Sequence, residues 1–349
     1  MPHKLPTIEA LRGRPGPLIL LLAALVMIGP FSIDMYLPAF PSIGAAFGAS
    51  PAAVQQTLSI YLIAYAVMML WHGALADAWG RRPVILASLA IYAVATLGCA
   101  IAGNIESLWL FRALQGVSAG VGLVIGRTIV RDVFHGTAAQ KMMTRITQIF
   151  SIAPIIAPVA GGLLLGIGGW RTVFWGLLVL IVLLLVWCYR TLPETLPPEA
   201  RQSLRLGPLY HNYRTVIFRP EFLLLALISA LNFAGFFIYI AGAPSFLIKL
   251  LGVSEQGFAW LFVPLILGVV SGATLAGKLA GRIPPERIIA FGYLCMGLAC
   301  VLNLGVCLFL PANVMWNVLP IMLYTTGTSM VAPNALLFML AIFPTMRGL

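Results

Sequence analysis

Charge is what this sequence of 349 residues has least of: Asp, Glu, Lys and Arg make up 9% of it, where soluble domains carry about 25%. With 61% of the residues hydrophobic, that deficit excludes a water-soluble fold, because the polar residues are too few to cover the apolar ones. Histidine is scarce too. The four present, His3, His72, His135 and His211, fall in the N-terminal arm, in loops or at cytoplasmic helix ends, and no HExxH pair occurs. No catalytic dyad can be placed within a membrane, so no enzymatic activity, metal or cofactor is expected. The five cysteines (Cys99, Cys188, Cys295, Cys300, Cys307) show no CxxC spacing and lie in apolar stretches, where a thiol is a small filler. Regular alternation of polar and apolar residues is missing as well. That excludes a β-barrel, whose strands alternate over about ten residues.

What the sequence does have is long uncharged runs. A bilayer core about 30 Å thick is crossed by about 20 apolar residues of helix. The runs predict ten such helices, at residues 17–40, 51–75, 83–103, 105–130, 145–167, 171–191, 221–247, 255–279, 286–310 and 314–340. The expected fold class is therefore an all-α, polytopic membrane protein embedded in a lipid bilayer.

A net charge of +11 would suit a nucleic-acid partner if the 21 basic residues formed one patch, but they are sorted by loop. With the N-terminus in the cytoplasm, 18 of the 21 lie on that side: Lys4, Arg12, Arg14, Arg81, Arg82, Arg127, Arg131, Lys141, Arg145, Arg190, Arg201, Arg205, Arg214, Arg219, Lys278, Arg282, Arg287 and Arg347. Arg171 and Lys249 fall outside, and Arg112 falls within a helix. This is the positive-inside bias, which sets the orientation and explains the basic pI without nucleic acid. Residues 1–16 form a cytoplasmic arm. The apolar stretch behind it is too long for a signal-peptide core and lacks a clear cleavage site, so it is expected to stay as the first helix.

The longest polar interruption, 193–220, is expected to be a cytoplasmic loop between a six-helix half (17–192) and a C-terminal half (221–349) with four predicted helices. Helix 2 leads into Gly73-Ala-Leu-Ala-Asp77-Ala-Trp-Gly80-Arg81-Arg82-Pro83; helix 8 leads into Gly277-Lys-Leu-Ala-Gly281-Arg282-Ile-Pro-Pro-Glu286-Arg287. The two resemble a degenerate internal repeat, and paired six-helix halves are a transporter architecture. On that pattern the C-terminal half is expected to be incomplete, with two helices fewer and a short basic segment ending at Leu349.

The 73–83 segment is the most specific local signal. Gly73 lets helix 2 approach a neighbour, Asp77 can accept hydrogen bonds from a helix N-terminus or an arginine, and Gly80 permits a tight turn. Arg81 and Arg82 then anchor at the cytoplasmic face. An ordinary basic loop would explain the arginines but not an aspartate and two glycines at this spacing, so a cytoplasmic gate is expected.

Two ionisable residues stand inside apolar helices. Asp34 lies in Phe31-Ser-Ile-Asp34-Met-Tyr36-Leu-Pro38, and Arg112 in Leu108-Trp-Leu-Phe-Arg112-Ala-Leu-Gln115-Gly116. At 1.5 Å per residue, each lies roughly 10 Å below the outer surface, so they can share a layer. An ion in hydrocarbon costs at least about 2.5–3.5 kcal/mol and normally faces a cavity or a partner. The alternative, snorkelling to the headgroups, is easier for arginine than for the short aspartate. Burial favours an uncharged Asp34 and a nearby cation favours the carboxylate, a balance that lets substrate and proton compete.

The fifth helix carries Pro154, Pro158, Gly161 and Gly162; its prolines remove backbone donors and its glycines allow close packing. Tyr36, Tyr61, Tyr65, Gln115, Asn232, Tyr239 and Asn334 are polar groups that can line a cavity, although interhelical hydrogen bonding explains such residues equally, Asn303 included. The stretch Gly272-Ala-Thr-Leu-Ala-Gly277-Lys278-Leu279 imitates a phosphate-binding loop. It has Leu279 where Ser or Thr is required and lies in an apolar helix end, so no nucleotide is expected.

Together these pieces resemble the major facilitator superfamily and, within it, the twelve-helix drug:proton antiporters of the bicyclomycin/chloramphenicol-resistance (Bcr/CflA) group. The resemblance is carried by Ser32-Ile-Asp34-Met-Tyr-Leu-Pro38, the 73–83 loop, the Arg112 segment, Arg131-Asp132, Gly169-Trp170-Arg171 and Pro193-Glu194-Thr-Leu-Pro197. It implies that helices 1, 4, 7 and 10 line a central cavity, that Asp34 is the proton or cation site and that Arg112 is the coupling arginine. It also implies that Asp77 and Arg81 form the gate and that 153–162 is the antiporter motif, with Ala157 standing where the wider motif has glycine. The activity implied is proton-coupled efflux of small, largely apolar compounds such as antibiotics from the bacterial inner membrane. A proton-coupled importer and a truncated, non-transporting product are the alternatives.

Overall fold

The computed structural model describes residues 8–342, apart from 14, 151, 203, 205–206, 208–213, 254–258 and 312. Lys4, Arg14 and the basic segment 344–349 lie outside the described residues. Every regular element among the described residues is helical. The chain divides into two compact units, Met1–Leu204 and Arg205–Leu349.

The first unit contains α1 (Ile8–Gly13), α2 (Pro15–Asp34), a 3₁₀ turn (Leu37–Ala39), α3 (Phe40–Phe47), α4 (Pro51–Trp79), α5 (Arg81–Ala100) and α6 (Ile105–Ala119). It continues with α7 (Val121–Val133), α8 (Gly136–Phe150), α9 (Ala153–Gly168) and α10 (Trp170–Thr191). The second holds α11 (Pro220–Ala243), a π-helical turn (Pro244–Leu250), α12 (Ala259–Leu279), α13 (Pro285–Phe309) and α14 (Val314–Ile342). Among the described residues, eight helices are long and apolar enough to cross a membrane, α2–α3 and α6–α7 each counting as one. The remaining two predicted spans are helical as well: α8–α9, which is interrupted, and α14, whose Asn317, Thr325, Thr326, Thr328 and Asn334 dilute its apolar run. Among the described residues the predicted spans thus fall six in the first unit and four in the second.

Several predicted spans are not continuous. The first was expected to run to residue 40; it stops at Asp34 because Pro38 has no N–H to give the Asp34 carbonyl, and the chain tightens into the 3₁₀ turn, with Ala39 N bonding Tyr36 O at 3.0 Å. The fifth breaks before α9, where Pro154 cannot bond the Phe150 carbonyl, and the seventh passes into the π-helical turn at Pro244, which likewise leaves Ile240. The fourth divides at Gly120, just after Ser118 Oγ turns back onto the Leu114 and Gln115 carbonyls, a pairing that bends helices.

Helix ends are set by local chemistry. Ser50 accepts from Ala53 N at 3.2 Å to start α4, and Asn104 and Ser107 form a capping box at the start of α6. Gly80, at φ 103°, turns α4 directly into α5. Packing inside the first unit relies on bare backbone. A Cβ on Gly116 would strike the Tyr61 carbonyl, and one on Gly122 the Leu25 carbonyl, so α6–α7 lies directly against α4 and α2. Leu, Ile, Val and Phe side chains such as Ile63, Val94, Ile167 and Leu183 stay exposed on the outer faces, which suits hydrocarbon as the solvent.

Candidate functional site

The break after Asp34 builds the first site. Once α2 ends, the Ser32 carbonyl and the Tyr36 ring both turn toward α6, where Arg112 is completely buried. Arg112 Nη1 donates to Ser32 O at 3.1 Å and to Gln115 Oε1 at 2.9 Å. Its guanidinium carbon sits 4.6 Å from the centre of the Tyr36 ring and 4.3 Å from that of Tyr61, so two aromatic faces flank the cation. Such contacts contribute about 2 kcal/mol each when desolvated. Among the described residues, Nε and Nη2 of Arg112 have no hydrogen-bond partner.

A second layer holds these groups in place. Gln115 Nε2 donates to Thr96 Oγ1 at 2.8 Å, and Thr96 Oγ1 donates to the Tyr92 carbonyl at 2.7 Å. The Tyr92 hydroxyl makes a short hydrogen bond with Ser32 Oγ, which also donates to Ile28 O at 2.5 Å. The Tyr36 hydroxyl shares a hydrogen bond of 2.7 Å with Thr57, and its ring packs on Phe40 and Phe174. Asp34 is 4% exposed at the last turn of α2, and neither an ion pair nor a hydrogen bond joins it to Arg112. The link between them is the backbone of the break itself: Arg112 holds the Ser32 carbonyl, two residues before Asp34.

The proline/glycine segment meets the same break from the other side. A Cβ on Gly161 would strike the Met35 carbonyl, next to Asp34, while Pro154 lies in the first turn of α9 and Pro158 within the helix. Gly162 and Ala157 are buried.

The second site lies where α4 turns into α5. Asp77 Oδ1 and Arg81 Nη1 pair at 2.5 Å, and Arg81 Nε donates to Asp132 Oδ2, beyond the middle of α7, at 3.2 Å. The Glu194 carboxylate receives the start of α5, accepting from Arg81 N at 2.9 Å and Arg82 N at 3.2 Å as well as from Thr195 N and Leu196 N at 3.0 Å. Here the unpaired donors and the positive end of the helix dipole meet an anion. Thr195 Oγ1 closes the circuit on Asp132 at 3.0 Å. Arg82 reaches Tyr189, donating to its carbonyl at 2.8 Å. Gly80 leaves the space that Glu194 fills, and Gly73 lies against Val124.

Of the candidate cavity residues, Tyr36, Tyr61 and Gln115 join the Arg112 cluster, and Tyr65 stacks on Tyr61 with centroids 6.0 Å apart. In the second unit, Asn232 donates to Thr328 O at 3.4 Å, Tyr239 packs on Tyr324 at 5.8 Å, and Asn334 bonds its own helix at Met330 O. Thr57, Tyr92 and Thr96 are participants that the sequence did not single out, and Ser32 was visible only as part of the Asp34 motif. Their one signal is a hydroxyl inside an apolar run. Asp132 and Glu194 were visible as motif residues, yet only the fold brings them to Arg81.

Known proteins resemble this chain over most of its length. Multidrug resistance protein D of Escherichia coli (strain K12) is 30% identical over 344 residues, covering 97% of this chain and 84% of that one. A bicyclomycin resistance protein homolog of Haemophilus influenzae is 27% identical, covering 78% and 68%. Among solved structures, a D-xylose-proton symporter superposes with a TM-score of 0.70 at 16% identity over 95% of this chain and 84% of its own, a likeness of fold. The two resistance proteins lie in the drug-efflux group that the motifs resemble, and the Major Facilitator Superfamily model matches residues 22–349. The chain therefore belongs to the Major Facilitator Superfamily.

Proposed function

We propose that the protein is a proton-coupled antiporter of the bacterial cytoplasmic membrane, N-terminus inside, that expels small, largely apolar compounds such as antibiotics. The observation that carries this reading is Arg112: a fully buried guanidinium with two unpartnered nitrogens, held at the broken end of the helix that bears Asp34. Desolvating a cation without a counter-ion is costly, and such groups inside membranes usually mark ion pathways. In the proposed cycle Asp34 takes a proton in one state and gives it up when substrate is bound. The change of charge beside the 34–36 break is felt by Arg112 through the Ser32 carbonyl and by α9 through Gly161.

The Asp77–Arg81–Asp132 network and Glu194 act in this scheme as the cytoplasmic gate, closing in one state and parting in the other. The proton gradient supplies the energy, so no nucleotide or cofactor takes part, and no nucleic acid is a partner. Small-molecule substrate, protons and the bilayer are the interacting species. Drug resistance in the names of the two relatives supports the substrate class.

The test is an accumulation screen in a strain lacking its own pumps, with chemically diverse antibiotics that include bicyclomycin and chloramphenicol. Wild type is expected to lower accumulation of at least one apolar compound, and Asp34→Asn to restore it. In proteoliposomes, substrate that moves together with protons would establish an importer instead, and equal accumulation in every strain would reject transport.

A further inference from the structure

At one end of the first unit, Arg12, Lys141, Arg145 and His135 surround a cavity of ≈ 510 Å³ that the transport reading does not use. Its level in the membrane is fixed by two other lining residues. Pro15 opens the first span and Val133 closes the fourth, so the cavity lies at the edge of the hydrocarbon.

Its walls combine two kinds of surface. In α8, Met142 and Ile146 are buried and Met143 half-buried against the core of the unit, while Lys141 and Arg145, one turn apart, stay exposed on the other face. Arg12 is oriented by its Nε, which donates to Val133 O at 2.7 Å and leaves both terminal nitrogens for a ligand. Phe134 and Met142 give the cavity an apolar side. Among the described residues no carboxylate lines it and none of the three cations is in an ion pair.

Three unpaired cations over an apolar wall, at the depth of the headgroups, match one ligand chemistry: a phosphate ester carried on a hydrocarbon chain. We propose that this cavity binds an acidic phospholipid, its phosphate held by Arg12, Lys141 and Arg145 and the start of an acyl chain lying on Val133, Phe134 and Met142. Basic pockets at helix ends recognise lipid headgroups in this way. A zwitterionic lipid carries a cation that the three side chains repel, and a water-soluble phosphate forgoes the apolar wall.

The experiment titrates the purified, delipidated full chain in detergent with phosphatidylglycerol, phosphatidylcholine and glycerol 3-phosphate, reading bound lipid by native mass spectrometry. Phosphatidylglycerol is expected to bind at least about tenfold more tightly than phosphatidylcholine, and the double variant Lys141→Gln/Arg145→Gln to weaken it about 30-fold. Arg190→Gln, an exposed basic residue away from the cavity, should leave binding unchanged. Both substituted side chains are exposed, so the delipidated double variant should melt as wild type does; should it melt lower, the single variants Lys141→Gln and Arg145→Gln carry the same test. Equal binding of the two lipids, or undiminished binding by the variants, would overturn the proposal. Displacement of the lipid by glycerol 3-phosphate at equal concentration would overturn it too, by assigning the cavity to a free phosphate.

Discussion

Two arginines of the first unit, Arg112 and Arg81, are both almost fully buried, and they are handled in opposite ways. Arg81 is paired with two carboxylates, and a third, that of Glu194, accepts from its main-chain N–H, so its charge is balanced by fixed anions. Arg112 is held by one carbonyl, one amide oxygen and two aromatic rings, none of them an anion, and keeps two nitrogens without a partner among the described residues. A balanced cluster is stable as it stands and opens only when its partners part. An unbalanced one responds to any charge that arrives or leaves nearby. In the proposed cycle the first acts as a latch and the second as a sensor.

Substitutions sharpen this contrast, beginning with the largest effect. Replacing Arg112 by Gln removes the sensor, and transport is expected to fall by at least about 100-fold, as removal of a buried charge with about 3 kcal/mol of coupling implies. Arg112→Lys should be nearly as impaired, because an ammonium cannot lie between two rings while reaching both oxygens. Initial rates of dye efflux from everted vesicles check both, and wild-type rates for the lysine variant would remove the planar guanidinium from the account.

Gly161→Val comes next. Its side chain meets the Met35 carbonyl, and overpacking of this kind costs about 1–3 kcal/mol. A lower melting temperature together with lost transport is expected, and an unchanged melting temperature would show that α9 does not press on the 34–36 break.

At the latch, a double-mutant cycle with Arg81→Ala and Asp132→Ala should give a coupling energy of about 1 kcal/mol by thermal or denaturant unfolding, with the pair partly screened by water. A value near zero would leave the α4–α5 turn held by Asp77 and Glu194. The smallest effect belongs to Tyr36→Phe. It loses the hydrogen bond to Thr57, worth about 0.6 kcal/mol between membrane helices, and keeps the ring over Arg112. Efflux close to wild type is expected; a loss as severe as that of Arg112→Gln would move the key contact from the ring to the hydroxyl.

The helical fold was legible in the sequence because the bilayer demands about 20 apolar residues per crossing, and composition alone reveals such runs. The breaks were less so. Pro38, Pro154 and Pro244 coincide with interrupted helices, while Pro30, Pro158, Pro264, Pro320 and Pro333 sit inside helices that continue. Proline removes one donor in every case, and packing around the freed carbonyl decides the outcome. Asp34, Arg112 and the 73–83 loop were visible because charge in an apolar run is expensive. Their pairings were not. Ser32 meets Arg112 through a main-chain carbonyl, which any residue possesses, and Glu194 reaches Arg81 across 113 positions of chain.

The central claim is that Asp34 exchanges a proton with substrate. It is tested most directly by adding the apolar compound selected in the accumulation screen to weakly buffered, detergent-solubilised protein and measuring the protons released. Wild type is expected to release close to one proton per bound substrate and Asp34→Asn none. Equal release by both proteins would contradict the account.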